Sequence, residues 1–304
     1  MVLKSKKPQK IRILIVLVRM KGGVGRYALE TKNKLEKQGY YVKILSREDD
    51  IKIFSFIKSF LKLRKVVKNK DYDILFTHDW SIAIPLLGFK NHFCTFHGTN
   101  HGIAGLLQKI VGKLFGKRLV VVGDNLKKIF PKATLVYEGV DLKQFKPNKK
   151  IKRIKGSVGF SNWTTGIYNY SLIKKAVKKS RGKFIVADGI KKEQMGEFYN
   201  KLDCFISLPP SWTGFGLVWL EAMASGVPII IGNNAGIGAK LPITKVEDFG
   251  WKESLSEKEK VRIIAKALKN ADKKDYRTWL EKNKEKFSWE RHAEELMKLW
   301  RENV

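Results

Sequence analysis

Two short stretches of this sequence combine glycine-rich backbone with positions suited to ligand chemistry. In Lys21-Gly22-Gly23-Val24-Gly25 the glycines follow directly on the apolar run Ile11 to Val18. Glycines placed after a buried strand let backbone amides approach a phosphate closely, and a helix starting there adds its positive end. The spacing is not that of the dinucleotide fingerprint, so phosphate contact and a plain tight turn both stay open. The second stretch runs from Leu208 to Pro228 as strand, Pro/Gly loop, helix and strand. Its loop, Gly214-Phe215-Gly216-Leu217, delivers backbone amides at a helix start, and Glu221 stands one turn into an otherwise apolar helix. An ionised carboxylate there needs donors, and sugar hydroxyls are natural ones, although a solvent-facing Glu is the alternative.

Histidines add a third group of candidates. His97 ends an apolar run and is followed by Gly98; it reads either as a site residue or as a structural one capped by local backbone. His78, at another strand end, and His101, just beyond His97, are further candidates. The neighbouring Asp79 is a poor base partner for His78, because adjacent side chains rarely meet productively.

The elements that must position these residues follow from the pattern of apolar runs. Strands are expected at Ile11 to Val18, Tyr41 to Leu45, Asp73 to Thr77, Phe93 to Phe96 and Leu119 to Val122. Helices are expected between them at about Arg26 to Gln38, Ile51 to Val67, Ser81 to Leu87 and Ile103 to Phe115. A Lys-rich stretch from Glu138 to Lys155 without an apolar face reads as a linker. A second alternation follows, with strands at Ser157 to Phe160, Lys183 to Ala187, Asp203 to Ser207 and Val227 to Ile231. Its helices are expected at Tyr168 to Lys179, Glu193 to Asn200 and Phe215 to Ala224, and the chain is helical from Ser256 onward. Short apolar strands alternating with amphipathic helices imply parallel sheets covered on both faces. The expected organisation is an α/β protein of two domains: 1–145 joined by the C-terminal helix 288–304, and 146–287.

Composition bounds the rest. With 304 residues, 43% of them apolar and 30% charged, the chain can bury two cores and is not of disordered type. No run reaches the roughly 20 apolar residues of a spanning helix. Cys94 and Cys204 sit in apolar runs, which suggests neither a disulfide nor a metal site and fits a reducing cytoplasm. A formal charge of +32 implies an anionic partner: a diphosphate, an anionic membrane face or a nucleic acid.

Gly214-Phe215-Gly216-Leu217 through Glu221-Ala222-Met223-Ala224 and Gly226-Val227-Pro228 resembles family 4 of the retaining GT-B glycosyltransferases. The resemblance extends to Gly22-Gly23-Val24-Gly25, Thr95-Phe96-His97-Gly98, Gly139-Val140-Asp141 with Phe145 and Pro147, and Phe287-Ser288-Trp289. It implies two Rossmann-like parallel-sheet domains facing each other across a cleft, and transfer of a hexose from a nucleotide-diphosphate sugar, such as a UDP- or GDP-hexose, with retained configuration. By the resemblance Glu221 matches the carboxylate that binds the nucleotide ribose, Gly22 and Gly23 lie by the diphosphate or acceptor, and His97 lies by the donor sugar. It also implies a reaction without metal or further cofactor, and no Asp-x-Asp pair is read as holding a divalent ion on the diphosphate.

Three departures fall on the donor side. Thr213, separated from Glu221 by seven residues, stands where the family has a Glu that holds donor-sugar hydroxyls. Phe160 and Thr165 stand where it has Arg and Lys on the diphosphate. Lys240 or Lys21 is expected to supply replacement charge. Glu138 stands where the family commonly has Asn, and the sequence offers no account of it.

Two stretches, Ile51 to Lys70 and Leu106 to Arg118, read as basic amphipathic helices, either packed on a sheet with a solvated Lys face or facing an anionic membrane. The expected acceptor is therefore a glycan or a lipid-linked molecule, and the expected place is the cytoplasm or the inner membrane face. A catalytically silent relative that binds a glycan or nucleotide is the alternative, motivated by Thr213, Phe160 and Thr165. A basic nucleic-acid-binding or DNA-glycosylating protein ranks last, since no helix-turn-helix, zinc finger or RNA-sheet signature accompanies the charge.

Overall fold

The computed structural model describes residues 11–48, 56–161, 169–210, 213–232, 240–271 and 276–304. The chain divides into two compact units, one of residues 1–138 with 289–304 and one of residues 139–288. Residues 139–145 go with the second unit: the Val140 amide donates to the Phe287 carbonyl, and the Arg277 guanidinium donates to the Phe145 carbonyl.

In unit 1 the strands are β1 (Arg12–Leu17), β2 (Tyr41–Ser46), β3 (Ile74–His78), β4 (His92–Phe96), β5 (Leu119–Val121) and β6 (Thr134–Leu135). They form one parallel sheet in the order β2-β1-β3-β4-β5-β6. β1 and β3 are buried almost throughout, because a strand covered on both faces has no solvent side to make polar. The crossovers are α1 (Gly22–Lys37), α2 (Phe56–Lys68), α3 (Trp80–Ala83), α4 (Gly102–Phe115) and α5 (Asp124–Ile129). β1 to β2 steps toward one sheet edge and every later crossover steps toward the other, so right-handed connections put α1 on one face and α2 to α5 on the opposite one. The C-terminal helix (Trp289–Asn303) packs beside α1, with Trp300 edge-on to Phe76 at 5.3 Å.

Unit 2 repeats the logic with β7 (Ser157–Phe160), α6 (Tyr170–Lys179), β8 (Lys183–Val186), α7 (Met195–Asn200), β9 (Cys204–Ser207) and α8 (Leu217–Ala224). After these come β10 (Ile229–Ile231), β11 (Thr244–Lys245), α9 (Glu257–Lys269) and α10 (Tyr276–Lys282). The parallel order is β11-β10-β9-β7-β8. α6 packs against α9, and α8 packs against α7 and α10. α9 starts at Ser256, whose hydroxyl accepts from the Glu259 amide while the Glu259 carboxylate accepts from the Ser256 amide, satisfying two of the first-turn donors reciprocally.

Several boundaries differ from the sequence reading. α1 begins at Gly22, so the glycines form its first turn and do not precede it. α8 begins at Leu217, two residues later than expected, because Gly216 takes the left-handed conformation (φ 103°) as its cap. α5, β6 and β11 went unread; a six-residue helix and two-residue strands are too short to show a period. Ile53 and Phe54 of the first basic stretch, and Thr165, lie outside the described residues.

Candidate functional site

In each sheet the carboxyl ends of the strands collect the residues singled out above, as expected for open α/β sheets. In unit 1, β1 leads into the first turn of α1. Added side chains at Gly22 (φ 78°) and Gly23 would meet nothing within 4 Å, whereas a Cβ at Gly25 would overlap the Met20 carbonyl. Gly25 therefore lets the turn close, and Gly22 and Gly23 face open space with their amides at the positive end of a 16-residue helix.

His78 ends β3 and His97 follows β4. Their rings stack 5.2 Å apart, with His78 Nδ1 3.1 Å from His97 Nε2. On its other side His97 Nδ1 lies 3.3 Å from a Glu138 carboxylate oxygen. Tyr27 of α1 presents its ring edge-on to His78, His97 and His292, with centroids 4.6 to 5.0 Å away. His292 comes from the C-terminal helix; its Nδ1 donates to the Tyr137 carbonyl at 2.9 Å, which leaves Nε2 to accept from the Thr31 hydroxyl at 3.1 Å.

Burial dominates the electrostatics here. It holds His78 well below the usual imidazole range, with the neighbouring His97 adding to the effect, and lowers His292 to about 4. Burial, then the Glu138 charge, pushes the Tyr27 phenol well upward. With His78 neutral and the Glu138 carboxylate accepting, one hydrogen-bond order results. His78 Nδ1–H donates to His97 Nε2, His97 Nδ1–H donates to Glu138, and the buried His78 Nε2 has no partner among the described residues. Such a chain can hold or move a proton: protonating His97 reverses the His78 tautomer, and the imidazolium is met by Glu138.

Both nitrogens of His97 are thus engaged inside unit 1, a point sequence could not give. Glu138, unexplained in the sequence, is the residue that orients it. His101 is exposed at the start of α4, and Asp79 (φ 83°) does not serve His78 but caps α3, accepting from the Ser81 amide at 2.9 Å. One pair was overlooked: Asp71-Tyr72-Asp73 is an Asp-x-Asp. It stands at the amino end of β3, where Arg12 binds both carboxylates. That is the sheet edge opposite the histidines, and hydrogen bonds from Arg12 hold Asp73 below its ordinary range.

In unit 2 the same edge is mostly apolar. Gly214 and Phe215 are buried, Thr213 and Leu217 half-buried, and Gly216 could not carry a side chain without striking the Trp219 ring. Glu221 is 1% exposed, and the Tyr199 hydroxyl of α7 donates to one of its oxygens at 3.0 Å. Phe160 is fully buried, its ring 5.5 Å from Tyr170 and 6.0 Å from Phe184. It serves the core between α6 and β8. Lys240 is exposed, and the preceding residues 233–239 lie outside the described ones. Neither cysteine forms a disulfide; both are buried, and burial pushes the Cys204 thiol up to about 12.

Comparison with known proteins bears directly on unit 2. Residues 158–287 match the family described as glycosyl transferases group 1. A probable sucrose-phosphate synthase of Thermosipho melanesiensis is 31% identical over 141 residues, which are 45% of this chain. The chain spans about a third (31%) of that curated relative's length. Among solved structures, sucrose-phosphate synthase of Thermosynechococcus elongatus superposes with a TM-score of 0.73 at 13% identity, covering 96% of this chain and 99% of that one. Anabaena HepE in complex with UDP-glucose gives 0.65 at 12% identity, covering 96% and 100%. The catalytic domain of Arabidopsis thaliana starch synthase IV, bound to ADP and acarbose, gives 0.63 at 12%, covering 97% and 99%. Residues 158–287 thus match the glycosyl transferases group 1 family, in a chain whose two parallel-sheet α/β domains have the fold of these glycosyltransferase structures.

Proposed function

We propose that the chain is a retaining hexosyltransferase of family 4 that moves a sugar from a nucleotide diphosphate to an acceptor hydroxyl without a metal. The observation that carries this reading lies in residues 158–287. There the family match coincides with a left-handed Gly216 cap and with Glu221 one turn into α8, at the carboxyl edge of the sheet. The amides at the start of α8 suit a diphosphate, and Glu221, steadied by Tyr199, suits the ribose. Similar proteins held UDP-glucose or ADP, which supports a uridine or adenosine diphosphate sugar as donor beside the guanosine one. Thr213 would hydrogen-bond the donor sugar without charge, and Lys240 would meet the diphosphate in place of the missing cations. Gly22 and Gly23 leave room for a ligand at the unit 1 edge, where Glu138 and His78 hold His97 in a fixed orientation. As in the resembled family, the leaving diphosphate would take the acceptor proton, and the protein would chiefly position the reactants and stabilise charge. Two buried thiols fit work in the cytoplasm.

The test is thermal stability against UDP, GDP, ADP and their sugars, with Glu221→Ala alongside. One nucleotide at 100 times its dissociation constant should stabilise by about 2.7 kcal/mol, and the mutant should lose that shift. A shift that survives Glu221→Ala would remove Glu221 from the site. The silent-relative reading is favoured by one observation, the burial of Phe160 where the family carries Arg. Nucleotide binding without sugar transfer to any acceptor would decide for it.

A further inference from the structure

α4 is built inside out. Its buried face is Gly105, Gln108, Val111, Gly112 and Phe115, where an added Cβ at Gly105 would overlap the Asn100 carbonyl and one at Gly112 the Phe130 ring. Four further large apolar side chains lie on the other side: Ile103 is 81% exposed, Leu106 60%, Ile110 46% and Leu114 60%. At about 100° per residue these four form one ridge, nearly opposite the buried face. A soluble helix normally turns charge outward there, and contiguous exposed apolar ridges mark interaction surfaces. Exposed large apolar residues elsewhere in the described chain are scattered.

Charge identifies the occupant. Lys109, Lys113, Lys117 and Arg118 are exposed beside the ridge. The sequence from Trp80 to Gly123 contains no Asp or Glu, although the chain as a whole has 29. A protein partner matching this face would need an apolar groove rimmed with acid. An anionic bilayer offers both properties on a plane: headgroups for the lysines and a hydrocarbon boundary for the ridge. We propose that α4 docks unit 1 onto an anionic lipid surface, with Ile103, Leu106, Ile110 and Leu114 inserted and the lysines at headgroup level. The helix also leads to the candidate site. The Gln108 side chain donates to the Gly98 carbonyl at 2.7 Å and accepts from the Asn100 amide at 2.9 Å, so the docked helix holds the loop that directly follows His97. This inference goes beyond the glycosyl-transfer reading and stands without it.

The experiment is co-sedimentation of the full chain with vesicles of phosphatidylcholine alone or with about 30% phosphatidylglycerol, near physiological salt. Binding to the anionic vesicles is expected. It should fall at least about tenfold in Ile103→Ser/Leu106→Ser/Leu114→Ser and by about 30-fold in Lys109→Gln/Lys113→Gln. Lys178→Gln/Lys179→Gln on unit 2 removes the same charge elsewhere and should bind as the parent does. Far-UV circular dichroism melts establish that each variant is folded; single Leu106→Ser serves if the triple variant is not. No binding by the parent would overturn the proposal, as would equal losses in the two lysine variants, which would mean unspecific attraction by net charge. A parent that sediments as a dimer while the serine variant is monomeric would also overturn it, assigning the ridge to a second copy.

Discussion

The two sheets put different chemistry at the same edge. In unit 1 the carboxyl ends of β3 and β4 carry histidines whose nitrogens are tied to one another and to Glu138, so the polar groups arrive already oriented. In unit 2 the corresponding edge is mostly apolar around Glu221, and Phe160, which only the resemblance sets against an arginine, is packed into the core. The contrast is one of network against packing: one edge ties its polar groups to one another, the other surrounds a single carboxylate, met by the Tyr199 hydroxyl, with apolar side chains.

Phe160 offers the strongest way to break that contrast. If the residue simply replaced a ligand-binding cation, Phe160→Arg would restore affinity for nucleotide. Because the side chain is fully buried between Tyr170 and Phe184, the substitution should instead place an unpaired charge in the core and destabilise the chain by more than about 3 kcal/mol. A chemical denaturation curve with Phe160→Leu as companion checks this, since the leucine variant should retain nucleotide binding. Tighter nucleotide binding by a folded arginine variant would show that the site reaches Phe160 after all.

Glu138→Gln sharpens the contrast from the other edge. It keeps the shape but removes the charge facing His97 Nδ1, and a hydrogen bond to a charged group is worth about 1.5–3 kcal/mol. Sugar transfer should therefore lose about tenfold or more in kcat. The KM for the nucleotide donor should stay near the parent value, because that ligand is assigned to the other edge. Steady-state kinetics separates the two; a change in KM alone would assign Glu138 to binding.

A third effect is on pH and vanishes at neutrality. His292 and His92, lowered by burial to about 4 and about 3, stay neutral in the folded chain at pH values where an unfolded histidine takes up a proton. Stability is therefore full above about pH 6.5 and declines as the pH falls toward 4, by up to about 1.4 kcal/mol per pH unit for each such histidine. His292→Gln should lower stability at neutral pH but flatten this decline, as urea curves at pH 7 and pH 5 would reveal. An unchanged slope would mean that His292 is already protonated in the fold.

Most of the architecture could be read from the sequence, because parallel strands covered on both faces leave long apolar runs and the helices between them leave periodic ones. The glycine turn, the Glu221 helix and the histidines at strand ends were legible for the same reason: each sits at a junction of two patterns. What remained hidden depends on distance along the chain. Tyr27, His78, His97, Glu138 and His292 come from five separate stretches, and no local pattern announces that they meet. Nor could composition tell that Phe160 points inward, since a phenylalanine at a strand end fits core and pocket equally. α4 deceived in the opposite sense: its amphipathic reading was correct in period, but Gly105 and Gly112 face in while Leu106 and Leu114 face out.

The C-terminal helix has one more consequence, for synthesis. Trp289, His292, Leu296 and Trp300 are buried in unit 1, yet all of unit 2 precedes them along the chain. As a nascent chain leaves the ribosome, residues 139–288 can reach their own native contacts while the first unit still lacks one wall of its core. Phe76, Phe93 and Tyr27 stay uncovered until residues 289–300 arrive. The amino-terminal unit is thus the later of the two to close, the reverse of the usual order for a multidomain chain, and its aggregation hazard is greatest in the interval when ribosome and helper proteins are nearest.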